Sequence, residues 1–307
     1  MSKSIAISLS SSLESSNGLS LIDTHSHLFW DSYREDFEAV IKRAVESGVT
    51  TAVNVGVNVE KSRMAADLKT DNSQMKFYSS IGIHPHEAGK YSDKGNVISD
   101  KLEKDISVLE QIYSKNPDKV IAVGECGLDY LVHPDYNPSN LTIEQLKQLQ
   151  RKLFQAQIDL AKKLSLPVLV HCRDDRNKDF NNTECWDKVV KMTQGWKGIY
   201  HCYSGLLPTT NSIIQNSNFL ISFAGNLTYP KNDYLKEAVR ILPLERIVLE
   251  TDCPFLPPQS IRGQRNEPSS VMEIAQTIAE IKNEPFEKVA EQTTENFQKL
   301  FNLQTVN

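Results

Sequence analysis

Residues 142–173 read TIEQLKQLQRKLFQAQIDLAKKLSLPVLVHCR and hold one complete helix-then-strand unit. Leu146, Leu149, Leu153, Ala156, Leu160 and Leu164 recur every three or four positions, which places them on one stripe of an α-helix. Thr142 and Gln145 have the spacing of a capping box, and Pro167 follows the last periodic residue. The segment LPVLVHCR is then a short apolar run of the kind that forms a buried strand.

The same alternation repeats on both sides of this unit. Runs rich in apolar and β-branched residues occur at Leu21–His27, Thr51–Val57, Lys76–His84, Lys119–Asp129, Leu166–Arg173, Gly198–Ser204, Phe219–Thr228 and Arg246–Asp252, and each is expected to be a strand. Weaker helical periods lie at Glu35–Ser47, Val59–Asp71, Leu102–Ser114, Thr183–Met192, Thr210–Gln215 and Lys231–Ile241. Two further helices are expected at Ser269–Ile281 and Phe286–Phe301. Strands that alternate with helices pair in parallel through crossovers. Eight such units predict an α/β fold of the (β/α)8 TIM-barrel type, with an open doubly wound sheet as the other architecture.

A chain of 307 residues fits one such barrel, so we expect a flexible Ser-rich leader over 1–18 and a single domain over 19–307. With 39% hydrophobic and 24% charged residues, the chain has no apolar run near the roughly 18 residues of a membrane span, so no membrane association is expected. The net charge of −5 argues against a protein that coats nucleic acid with a broad basic face, while permitting a local basic mouth or binding through cations. Five cysteines without framework spacing suit reduced thiols and a cytoplasmic location, with nuclear or organellar placement left open.

Barrel enzymes carry their chemistry at the carboxyl ends of the strands. The first strand ends Asp23-Thr-His25-Ser-His27, and strand alternation aims both imidazoles the same way, about 6.8 Å apart. Glu125 ends VIAVGE, His171 ends LPVLVH, His201 follows GIY and Asp252 ends RIVLETD. A single histidine after an apolar strand is more often a hydrogen-bonded core residue than a ligand. Six ionisable groups at equivalent strand ends favour a metal centre instead. Asp23 and Glu250 fall one layer beneath His25 and Asp252, where they are expected to accept hydrogen bonds from ligand imidazoles and fix their tautomers. Cys126, Cys172, Cys202 and Cys253 each follow a proposed ligand, so alternation turns them toward the helices as packing residues.

DTHSH, GIHPH, GECGLDY, LPVLVHCR, HCYSG, ETDCPFL, RGQRNEP and TTENFQKLF together resemble the TatD family of metal-dependent deoxyribonucleases, within the amidohydrolase-like barrels, over about Leu21–Phe301. The resemblance implies that His25, His27, Glu125 and Asp252 hold one divalent cation, and that Glu125 bridges to a second held by His171 and His201. It implies magnesium, whereas four imidazoles and two carboxylates also suit zinc or manganese. It further implies exonucleolytic hydrolysis of single-stranded DNA, for which a two-metal mechanism with Glu125 shared by both ions is expected; no stable protein partner is expected. Asp252 is the expected general base. Arg262 and Arg265, in RGQRNEP, are expected phosphate partners, with His84 helping at the mouth. The leader and the acidic loop carrying Asp174, Asp175 and Asp179 depart from the family pattern. The same barrel could instead hydrolyse an acyl or amide bond, as in deacylation of aminoacyl-tRNA.

Overall fold

The computed structural model describes residues 20–93, 96–97, 99–132, 137, 141–177 and 179–303. The Ser-rich leader expected over 1–18 lies outside the described residues.

Eight parallel strands form one sheet in chain order. They are β1 (Leu21–Ser26), β2 (Val49–Val55), β3 (Lys76–Ile81), β4 (Val120–Asp129), β5 (Val168–Arg173), β6 (Gly198–Tyr200), β7 (Leu220–Phe223) and β8 (Ile247–Leu249). The segment after β8 returns to β1: the Asp252 N–H donates to His25 O at 2.9 Å, and the His27 N–H to Cys253 O at 2.9 Å. That seam brings the first and last strands together and yields the expected α/β barrel. A two-residue ribbon, Ser92–Asp93 against Asn96–Val97, sits apart from it.

Nine α-helices accompany the barrel among the described residues: α1 (Phe37–Glu46), α2 (Val59–Asp67), α3 (Ser99–Lys115), α4 (Ile143–Leu164), α5 (Glu184–Met192), α6 (Leu207–Asn216), α7 (Asp233–Ile241), α8 (Val271–Lys282) and α9 (Phe286–Phe301). Helix α4 starts as its sequence dictates, with Thr142 and Gln145 bonded reciprocally in a capping box. It buries Leu146, Leu149, Leu153, Ile158 and Leu160. Several strands are shorter than their apolar runs: β6 stops at Tyr200 and β8 at Leu249, so the chain beyond them is free to turn.

Two apolar clusters result. A large one lies between sheet and helices, and includes Val123, Leu153, Trp186 and Ile274. A smaller one gathers Ile22, Val53, Tyr78, Ile121, Leu169, Ile199, Leu220 and Val248 from all eight strands, which is the filled barrel interior. Phe297 of α9 joins this interior cluster, with its ring centroid 6.4 Å from that of Tyr78.

Alternation from the interior layer explains which side chains reach the site. Leu169, Ile199 and Val248 are interior, so His171, His201 and Glu250, two positions on, face the same way. On β1 and β4 the pairing shifts register between Asp23 and Ser26 and between Val123 and Cys126, so parity counted from the interior residues Ile22 and Ile121 does not carry past those points.

Candidate metal centre

Glu125 stands at the middle of the strand ends. Two glycines beside it are required by the backbone: Gly124, just before it, has φ +152°, and Gly127, two residues after it, φ +143°. A Cβ at Gly127 would lie 2.0 Å from His171 O. Only glycine lets β4 approach β5 this closely in that conformation.

Four imidazoles surround the Glu125 carboxylate. His201 Nε2 lies 2.8 Å from Oε1, His171 Nδ1 2.9 Å, His84 Nε2 3.3 Å, and His25 Nε2 lies 3.5 Å from Oε2. Asp252 Oδ1 is 3.4 Å from His27 Nε2 and 3.8 Å from His25 Nε2. All six expected ligands therefore converge. His84 comes as close to Glu125 as they do, although sequence reasoning placed it only at the mouth.

The electrostatics suit a cation. Burial alone would raise the Glu125 pKa, but His201, His84 and His171 hold the carboxyl well below its ordinary range. Burial, reinforced by the neighbouring His201, lowers the pKa of His25, which favours the neutral imidazole that ligates metals. Burial likewise takes His84 down to about 4.

His25 supplies the most direct indication of a missing partner. It is fully buried, yet neither ring nitrogen has a hydrogen-bond partner among the described residues. Leaving both buried nitrogens unpaired is costly, and a cation shared with Glu125 would relieve the cost. Three overlapping donor groups have ligand atoms mutually within 4.8 Å: His25, His27 and Glu125; His25, His201 and Glu250; and His84, Glu125 and His171. The geometry thus suits one or two divalent-metal sites.

Supporting contacts orient the rings. His27 Nδ1 lies 2.9 Å from Val55 O, which leaves Nε2 for Asp252 or a cation. Glu250, fully buried, accepts the Cys202 N–H at 2.7 Å and lies 3.4 Å from His201 Nδ1. Asp23 differs from expectation. It accepts from Thr251 Oγ1 at 2.6 Å, the Thr251 N–H at 3.0 Å and the His25 N–H at 3.2 Å, and not from an imidazole. The register shift after Asp23 breaks the assumed alternation, and burial pushes its pKa up to about 7.

Sequence reasoning also missed a second carboxylate hub. Asp129 Oδ2 lies 2.7 Å from His86 Nε2, 3.0 Å from His171 Nε2 and 2.7 Å from an Arg173 terminal nitrogen. These partners outweigh its burial and hold its carboxyl well below the ordinary range. Part of the hub carried a period-two signal, because Asp129 and Arg173 follow Glu125 and His171 on their strands by four and two residues, whereas His86 lies in the 3-10 helix Pro85–Tyr91 beyond β3, where strand alternation does not apply.

Arg262 and Arg265 separate. Arg262 is exposed, lies 3.8 Å over the Tyr229 ring and pairs with no carboxylate among the described residues. Arg265 is committed: its terminal nitrogens bind Asp36 at 2.9 and 2.6 Å and Glu267 at 3.0 Å. These carboxylates engage the nitrogens that the expected phosphate contact of Arg265 would use. Cys202 also departs from expectation. With φ +44° beyond the end of β6 it lines the mouth, while Cys126 and Cys253 pack on the helix side and Cys172, also packed there, borders the mouth as well.

The mouth is a cavity of about 560 Å³. His84, His86 and Arg173 line part of it, and Trp30, Phe255 and Leu256 line another.

Comparison with known proteins agrees with this architecture. The family model described as TatD related DNase matches residues 22–302. An uncharacterized metal-dependent hydrolase, YabD of Bacillus subtilis (strain 168), is 35% identical over 92% of this chain and 99% of its own length. A protein named 3'-5' ssDNA/RNA exonuclease TatD, from Erwinia tasmaniensis, is 29% identical over 92% of this chain and 100% of its own. The crystal structure of YjjV, a TatD homolog from Escherichia coli K12, superposes with a TM-score of 0.75 at 27% identity, covering 92% of this chain and 98% of that one.

Proposed function

Because the chain belongs to the TatD related DNase family and is a metal-dependent hydrolase, we propose that it hydrolyses phosphodiester bonds of single-stranded DNA from a strand end. The observation that carries this reading is the convergence of four imidazoles on Glu125 beside Asp252, with neither buried nitrogen of His25 hydrogen-bonded among the described residues. The exonuclease name of a relative supports the substrate class. A single domain over 19–307 would carry the activity.

In this reading His25, His27, Glu125 and Asp252 hold one divalent cation, and Glu125, His171 and His201 a second. When bound, the pair would stabilise negative charge developing on phosphate oxygens. The ligand chemistry suits zinc or manganese, whereas the family resemblance implies magnesium. Asp252, whose Oδ1 faces His27 and His25, would accept the proton of the attacking water. Arg262 binds the phosphate chain at the rim, its guanidinium held against Tyr229. Glu250 holds His201 in orientation from beneath.

End-labelled single-stranded DNA tests the proposal directly. With added magnesium, manganese or zinc, mononucleotides are expected, and none should appear with a chelator present. Turnover of an aminoacyl-tRNA or amide substrate while the DNA backbone stays intact would favour the acyl hydrolase instead. Asp252→Asn keeps a ligating oxygen but cannot accept a proton, so it should abolish release of nucleotides while the cation of Glu125, His171 and His201 is retained by elemental analysis, and undiminished turnover would remove Asp252 as the base.

A further inference from the structure

The rim of the mouth carries more apolar surface than breaking a phosphodiester bond requires. Trp30 follows β1 and Phe255 follows β8, and their rings meet edge to face with centroids 5.8 Å apart. Each lies 6.2 Å from the His27 ring. The Phe255 side chain is 46% exposed although its backbone is fixed, its N–H donating to Asp252 O and its carbonyl accepting from Asn266 Nδ2. Lys61, in the first turn of α2, holds its ammonium 5.8 Å from the Trp30 ring. It contacts Met64 Sδ at 3.4 Å and pairs with no carboxylate among the described residues.

A half-buried Trp30 beside an exposed Phe255, a lysine that pairs with no carboxylate among the described residues and a carboxylate-imidazole cluster one ring away suit a flat aromatic group tethered to phosphate. An aliphatic ligand would cover the rings but leave Lys61 unused, and an isolated phosphate would leave the rings bare. We propose that Trp30 and Phe255 form a stacking subsite for one unpaired nucleobase, whose own strand carries phosphate toward the cluster and past Lys61. The proposal rests on the nucleic-acid reading above and deepens it. Every base has a π-face, so the subsite is tolerant of sequence. A base still paired within a duplex cannot enter it, which gives the preference for single strands a physical origin.

The test uses the metal-loaded protein and phosphorothioate-linked oligothymidylate, which resists hydrolysis. Stacking should quench tryptophan fluorescence, and an oligomer with abasic terminal sugars should not. Trp30→Phe should lose the quench yet retain most of the affinity, whereas Trp30→Ala and Phe255→Ala should each weaken binding about tenfold, as loss of one stacked base does. In steady-state assays the alanine variants should raise KM for ordinary strands and leave KM for abasic-ended strands unchanged. Equal binding of normal and abasic strands by the parent protein overturns the subsite, even if DNA is hydrolysed. Base-dependent quenching without any hydrolysis supports the subsite while rejecting the proposed reaction.

Discussion

Glu125 and Asp129 sit four residues apart on one strand and share His171 between them, Nδ1 facing the first at 2.9 Å and Nε2 the second at 3.0 Å. A ring clamped at both nitrogens has one orientation. If Glu125 belongs to the cations, Asp129 fixes the ring that helps it. Replacing a supporting carboxylate of this kind costs roughly 10–100-fold in metal affinity. We therefore expect Asp129→Asn to weaken metal binding by about that factor in calorimetric titration, with an unchanged circular dichroism spectrum. Glu125→Gln removes the shared charge itself and should lower both affinity and turnover by more than about 100-fold. Affinity equal to that of the parent in Asp129→Asn would reduce the hub to an ordinary buried ion pair.

At the scale of elements, β4 and β5 are held close by two glycines, and the contact is testable. Gly127→Ala places a methyl group against His171 O in a backbone conformation that alanine rarely adopts. We expect a loss of about 2 kcal/mol or more in urea unfolding, with weakened metal binding because β5 carries His171. Helix α4 offers a milder control: Thr142→Ala removes half of the capping box and should cost about 1 kcal/mol without touching metal affinity. The sequence was legible where local rules dominate. Thr142 and Gln145 announced the start of α4, and period-two alternation carried Leu169, Ile199 and Val248 to His171, His201 and Glu250. It failed where pairing intervenes. The register shift after Asp23 is set by β2, and no spacing within β1 reveals it. The arginines of RGQRNEP look equivalent in one dimension, yet Asp36, 229 residues away, claims Arg265, while Arg262 lies over Tyr229 with no carboxylate partner among the described residues. Asp129 is the opposite case, since its alternation with Glu125 was visible and went unused.

For the whole molecule the critical place is the seam between β8 and β1, where two backbone hydrogen bonds join His25 and His27 to the segment of Asp252 and Cys253. A cation held by His25, His27 and Asp252 would tie that seam from inside. Chelation should therefore lower the thermal midpoint as well as stop hydrolysis; free metal at about 1,000 times its Kd contributes about 4 kcal/mol. From outside, Arg265 joins Asp36, ahead of α1, to Glu267, beyond β8, and Arg43 of α1 pairs with the same two carboxylates. Arg265 holds Asp36 below its ordinary pKa, and Arg43 and Arg265 overcome burial to do the same for Glu267. Carboxyls lowered by folding stabilise the native state above their unfolded pKa values, and that contribution disappears as pH falls through the lowered folded values. Asp36 and Arg43 are exposed enough for solvent to screen the network, so its contribution should be about 1 kcal/mol or less. The stability gap between the parent and Arg265→Ala should thus be constant above about pH 5 and shrink as pH falls below the unfolded carboxyl range of about 4 in urea unfolding at each pH. KM for DNA should not change in Arg265→Ala, whereas Arg262→Ala should raise KM and reduce its dependence on salt. A shift in KM for Arg265→Ala with no loss of stability would return that guanidinium to the substrate.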